Sequence, residues 1–234
     1  MKKILSALLI ALLVLGTISI SDFSTGQNRV YAATGASAFI DLHASHWGYS
    51  YVDFAAINGI ITGYATPDGR FVFKSENPVS KEEALAMIYR ALGASGKLLS
   101  IEDFSSDYQA ALDEGEISSW ARKFVAYGLK YNIVTLEELE SFNAESGAGL
   151  SASREQTAVW TAKALGGKLM QTNTLLYGDL DQISTASLPY VDLLFRLNIM
   201  KGDNQGRFMP NASIKRVEFA AVTNRIFTAA VVKN

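Results

Sequence analysis

Cysteine is absent from all 234 residues. That excludes disulfides, thiolate metal sites, a cysteine nucleophile and attachment through a lipidated cysteine. Histidine occurs twice. His43 and His46, with Asp41 nearby, make a poor metal cluster, because two histidines and a carboxylate at loop spacing are common by chance. No metal and no cofactor are expected. No nucleophile elbow, phosphate loop or Ser-His-Asp order is present. Beyond the N-terminal segment no run is long and apolar enough to cross a bilayer. An excess of positive charge is lacking too: 21 basic residues face 23 acidic ones. That balance excludes bulk binding to nucleic acid, which needs a basic surface.

What is present begins with a secretion address. Lys2 and Lys3 precede an apolar stretch from Ile4 to Ile20, and Val30-Tyr31-Ala32 offers small residues where a signal peptidase reads. Residues 1–32 read as a signal peptide and 33–38 as a short tail. Cleavage before Ala33 leaves 18 basic and 22 acidic residues, a net charge of −4, and no stable membrane insertion. An exported chain without disulfides fits a bacterial surface. Val231-Val232-Lys233-Asn234 carries no sorting signal, so retention at the surface would be non-covalent. Any anionic ligand would have to be recognised locally.

The rest of the chain repeats. His46-Trp47 leads into a segment with Val52, Ala55 and Ala56 at helical spacing, which stops at Asn58-Gly59. Ile60 to Tyr64, the turn Pro67-Asp68-Gly69 and the apolar Phe71-Val72-Phe73 follow. A second helix is predicted from Ser80 to Gly93. A shift of 73 residues places Trp47 on Trp120, Ile60 on Ile133, Thr62 on Thr135 and Lys81 on Arg154. A third, shorter copy opens at Tyr177-Gly178-Asp179. It has a first helix from Leu188 to Asn198, and Ile199 to Asp203 matches Ile60 to Tyr64. Its last helix starts near Lys215. The expected fold is mainly α: helix–loop–helix repeats at 39–93, 103–166 and 177–230, packed as one domain with pseudo-threefold symmetry, with short extended pieces in the loops. Residues 94–102 and 167–176 read as connectors.

Each copy puts one cation, Lys81, Arg154 or Arg216, in the first turn of its second helix. Partial positive charge from unpaired N–H groups makes that placement unfavourable. Recurrence points to a use, since a cation beside open backbone donors makes an anion-binding corner. Ser80 with Glu83 and Ser153 with Gln156 fit capping boxes. Lys215 is a poor cap, so the third of these helices either starts elsewhere or leaves its N–H groups for a ligand.

These residues resemble the S-layer homology module of bacterial surface proteins. The resemblance rests on Phe39-Ile40-Asp41, His46-Trp47, Gly59-Ile60, Gly63-Tyr64, Asp68-Gly69-Arg70-Phe71 and Ser80-Lys81-Glu82-Glu83, and on Gly206-Arg207-Phe208-Met209-Pro210 and Lys215-Arg216-Val217-Glu218 in the third copy. It implies a three-pronged domain whose grooves between repeats hold an anionic secondary cell-wall polymer, often bearing a pyruvate ketal. The basic residue of the second-helix block maps to Lys81, Arg154 and Arg216. Trp47 and Trp120 would lay rings against sugar, and Gly63, Tyr64 and Gly202 belong to the same steps. Copy two departs: Leu136-Glu137 replaces Gly-Tyr, and its loop is acidic, so its groove is expected to bind poorly. Copy three has Ala186 where Trp47 and Trp120 align, and copy one has Lys81 in place of arginine. Fewer than three working sites are expected.

The resulting expectation is a cell-wall attachment protein that is not an enzyme and carries no second domain. Two rivals remain. An exported glycan hydrolase needs only two carboxylates, and Asp41, Asp103 and Glu83 are available. A surface subunit could instead use the repeats to touch surface-layer proteins.

Overall fold

The computed structural model describes residues 35–142, 150–167, 169 and 175–229. The expected signal peptide lies outside them. The chain is mainly helical, as the periodicity indicates. Its helices are α1 (Tyr49–Ile57), α2 (Lys81–Ala94), α3 (Gln109–Glu114), α4 (Arg122–Lys130), α5 (Leu136–Leu139), α6 (Arg154–Leu165), α7 (Leu188–Arg196) and α8 (Arg216–Thr228). Two short antiparallel strands, β1 (Tyr64–Ala65) and β2 (Phe71–Val72), pair Tyr64 with Val72. No helix among the described residues is long and apolar enough to cross a membrane.

The stop signals after α1, α4 and α7 work alike. Gly59, Asn132 and Asn198 take positive φ of 66°, 54° and 56°. The next residue, Ile60, Ile133 or Ile199, then donates its N–H to the carbonyl five positions back, at 2.8–2.9 Å. This closes the helix and turns a buried apolar pair inward. Packing then crosses between units: α1 lies on α8, α4 on α2, and α7 on α6.

The segments before α2, α6 and α8 meet at the centre. Val79 N donates to Ile214 O at 2.9 Å, Ile214 N to Ala152 O at 3.1 Å, and Ala152 N to Val79 O at 2.9 Å. The three residues are fully buried. This closed ring of backbone hydrogen bonds brings together the starts of the three longest helices among the described residues.

Both expected capping boxes form, at Ser80 with Glu83 and at Ser153 with Gln156. The expectations for Lys215 do not hold. α8 starts directly after it, with Glu218 accepting from Lys215 N at 2.9 Å. The Arg216 and Val217 amides are not left for a ligand either; Asn77 O and Ser75 O accept them. Other departures are local. α2 runs through Gly93 to Ala94. α3 and α5 were not expected; α5 forms because Thr135 and Glu138 make a capping box where copy two lacks the glycine turn. The described part of the expected tail, Gly35–Ala38, is a 3₁₀ turn fixed to α1 by Ala36 N donating to Asp53 Oδ1 at 2.8 Å.

Candidate functional site

The three first-turn cations are not solvated. Lys81, Arg154 and Arg216 are 2%, 8% and 3% exposed. Each reaches across to the loop of another unit. Arg216 donates from Nε to Phe73 O at 2.9 Å and from Nη2 to Thr62 O at 2.9 Å. Arg154 repeats this: Nε to Phe208 O at 2.8 Å and Nη2 to Lys201 O at 3.2 Å. Lys81 Nζ donates to Ser141 O at 2.5 Å and Ser141 Oγ at 3.1 Å, and burial lowers its pKa. The planar guanidinium offers separate nitrogens, Nε and Nη2, to two carbonyls in a fixed fork, whereas Lys81 gives one nitrogen to both oxygens of Ser141. The expected open amides beside these cations are also taken: Lys81 N, Arg154 N and Arg216 N donate to Leu150 O, Ala212 O and Asn77 O. The recurrence therefore reports inter-unit clamps first.

The loops that the arginines grip are set by the opening aspartates. Asp41 accepts from Phe73 N at 2.6 Å and Lys74 N at 2.8 Å. Asp179 accepts from Phe208 N at 2.8 Å and Met209 N at 2.7 Å. Phe73, not Phe71, is thus the counterpart of Phe208, and the first loop is the longer. Gly63 and Gly202 have a packing role here: an added Cβ would stand 2.4 Å from Phe39 Cε1 or 2.8 Å from Tyr177 Cε1.

The third arginine nitrogen separates the two clamps. Arg216 Nη1 meets Glu83 Oε1 at 3.1 Å, and Tyr64 OH donates to the same oxygen at 2.5 Å. The cleft there, between α2 and the Ile61–Tyr64 loop, is only about 10 Å³. That is room for one water. Arg154 Nη1 stands 3.9 Å from Glu218. Its cleft, between α8 and the Met200–Asp203 loop, is about 170 Å³ and is lined by Trp47, Arg154, Lys201, Gly202, Glu218 and Arg225 among others. Trp47 is 59% exposed at its edge. Its indole stacks on His46, with centroids 5.8 Å apart, and meets the edge of Tyr51. Arg225 lies beside Tyr51 and donates to Ile199 O at 2.9 Å. Asp203 is held below its usual pKa first by the Arg207 N–H and then by the Arg207 side chain.

The segment around α5 and α6 makes a different face. Lys81 is consumed by Ser141, and Glu138 accepts from Trp160 Nε1 at 2.9 Å. The broad cleft between α5, α6 and the start of α7 is lined by Glu138, Glu155 and Asp181, with no Lys or Arg among the described residues of its wall.

Of the residues picked from sequence, Trp47, Arg154 and Gly202 converge on the open cleft. Arg216 sits in the closed one with Tyr64 beside it. Trp120 is half-buried against the core, and Lys81 lines a separate cleft with Phe142 and Leu150. Asp103 is turned to its own loop, accepting from Ser105 N at 2.9 Å. His46 Nδ1 accepts from Gly48 N at 3.1 Å, and His43 Nδ1 pairs with Ser45 Oγ at 2.8 Å. Sequence reading missed Glu218, Lys201 and Arg225. A signal for Arg225 was there: Arg90, Lys163 and Arg225 each stand nine residues after a first-turn cation.

Comparison with known proteins bears on these clefts. An "Endoglucanase" from Bacillus sp. (strain KSM-635) is 24% identical over 232 residues, covering 96% of this chain. The chain spans only 22% of that protein's length. The likeness corrects the expectation that the chain is not an enzyme, since the relative is named for an enzymatic activity. Residues 176–220, which hold Tyr177, Asp179, the Met200–Asp203 loop, Arg216 and Glu218, match the family described as S-layer homology domain, and this supports association with the cell wall at the cell surface.

Proposed function

We propose that the chain attaches to the bacterial cell wall by holding an anionic, pyruvate-bearing polysaccharide in the Trp47–Arg154 cleft. The single supporting observation is the pairing, in one cleft of about 170 Å³, of an exposed indole with a guanidinium edge that lies 3.9 Å from its nearest carboxylate. An indole face suits the apolar side of a sugar ring. An arginine edge suits a carboxylate. In this reading the three units are S-layer homology repeats around the central hydrogen-bond ring, and residues 1–32 are a signal peptide for export. The acidic face around α5 and α6 repels such a ligand. The protein should sediment with purified walls, and should cease to do so once the polymer is stripped from them. Equal sedimentation with stripped walls would refute the proposal.

A second reading rests on the endoglucanase likeness: the chain works in the setting of glucan cleavage. Asp41 and Glu83 are committed to loop amides and to Arg216, so a hydrolytic pair would have to come from other carboxylates. Release of reducing ends from a soluble glucan by this chain would favour that reading, and no release would count against it.

A further inference from the structure

We infer that Tyr64 occupies, within its own chain, the place that a ligand takes in the open cleft. This inference rests on the binding reading above and adds which cleft is in use and what keeps the other out of use.

The two clefts share six wall positions besides their arginine. Met200, Lys201, Glu218, Ala221, Val222 and Arg225 of the open cleft correspond to Ile61, Thr62, Glu83, Ala86, Met87 and Arg90 of the closed one. Both have an arginine that grips two carbonyls in the same way. The volume differs from about 170 to about 10 Å³. The residue after the loop glycine is Asp203 in one and Tyr64 in the other.

The Tyr64 ring lies over the arginine that lines the closed cleft. Its face lies 4.6 Å from the Arg216 guanidinium carbon, and Lys74 Nζ stands 4.8 Å from its centroid. A ring held by two cations is stabilised on its π-face. Its hydroxyl supplies the acceptor-seeking group, donating to Glu83 Oε1. Without the ring, Arg216, Lys74 and Arg90 would face a vacated pocket with one carboxylate, Glu83, whereas Arg154, Lys201 and Arg225 have two beside them, Asp203 and Glu218. Tyr64 thus determines which arginine cleft admits an acidic saccharide.

Calorimetry with an amino-sugar monosaccharide bearing a pyruvate ketal tests this. The wild-type protein should bind one equivalent, and Tyr64→Ser should bind two. Tyr64→Thr, which keeps strand propensity in β1, should also bind two. Tyr64→Phe keeps the ring and should stay at one. A native circular dichroism spectrum with one equivalent in both ring-deleted variants would overturn the inference, as would two equivalents in the wild type. Arg154→Gln separates the two claims. Loss of the wild-type site supports the binding reading, and Tyr64→Thr/Arg154→Gln should then retain one site. If the wild type binds none but Tyr64→Thr binds one, occlusion stands and the open-cleft reading falls. If neither binds, both fall.

Discussion

Arg154 and Arg216 do the same structural job with different remainders. Each spends Nε and Nη2 on two loop carbonyls, and each is nearly buried. Arg216 gives its last nitrogen to Glu83, whereas the last nitrogen of Arg154 borders an open cleft. The difference teaches that a repeated cation can clamp a neighbouring loop in each copy and still keep an edge on an open cleft in one of them. Two differences accompany this: Glu83 stands 3.1 Å from Arg216 where Glu218 stands 3.9 Å from Arg154, and Tyr64 takes the position that Asp203 has in the other loop.

Removing the arginines breaks the comparison most severely. Arg216→Met leaves the Glu83 carboxylate without its buried cation and two carbonyls without donors, and loss of one member of a buried pair costs about 3–5 kcal/mol. Arg154→Met also strands two carbonyls. Its cleft is open to solvent, however, and water can replace part of what is lost, so about 1–3 kcal/mol is expected. Urea denaturation of both variants should rank Arg216→Met well below Arg154→Met. Equal midpoints would mean that the two clamps do not differ as described.

The opening aspartates sharpen the contrast at the next level. Asp179 is buried and Asp41 exposed, yet each accepts two loop amides. Asp179→Ala leaves those amides unsatisfied away from water, at about 1–3 kcal/mol, while Asp41→Ala lets solvent take over and costs less than about 1 kcal/mol. The Asp179 change should also lower wall binding, because its loop floors the open cleft. The Asp41 change should not.

Much of this was legible in the sequence, and what was not has identifiable causes. The six longer helices, the stops at Asn58-Gly59 and Gly166 and two capping boxes follow from local patterns, since each depends on nearby residues, whereas α2 runs past the stop expected at Gly93. α5 was missed because a missing Gly-Tyr step reads as loop loss, although Thr135 with Glu138 spells a cap. The cations were read as open because first-turn placement says nothing of what a neighbouring unit brings. Phe208 O and Phe73 O come from 54 and 143 residues away. The place of Tyr64 was illegible for the same reason: nothing in the Gly-Tyr step shows that its hydroxyl reaches Glu83, 19 residues away.

The two tryptophans test whether cleft and core can be told apart by function. Trp47 is exposed and Trp120 half-buried against the core. Trp47→Ala should leave stability within about 0.5 kcal/mol. It should weaken wall binding by the roughly 0.5–1.5 kcal/mol expected of one ring contact, about 2- to 10-fold. Trp120→Ala should do the reverse, lowering the denaturation midpoint while binding by the folded fraction is kept. Binding loss in both would make the aromatic signal a matter of folding alone.

The smallest expected effect separates the floors of the two clefts. Under the loop glycine lies Phe39 in the closed cleft and Tyr177 in the open one. The Tyr177 hydroxyl is buried and makes no hydrogen bond of good geometry among the described residues; burial pushes its pKa up to about 12 from 10.0, against smaller opposing effects of Arg154 and the Gly202 backbone. At pH 8 both folded and unfolded chains keep the proton, so Tyr177→Phe should be neutral or slightly stabilising, within about 0.5 kcal/mol. Between pH 10 and 12 the unfolded chain loses the proton while the folded chain holds it. The folded state then binds more protons, so stability falls as pH rises through that window. Urea midpoints of the wild type and Tyr177→Phe should therefore coincide at pH 8 and separate at pH 11, with the variant the more stable. Parallel midpoints at both values would mean that the phenol is hydrated and that the open cleft reaches further down than its walls indicate.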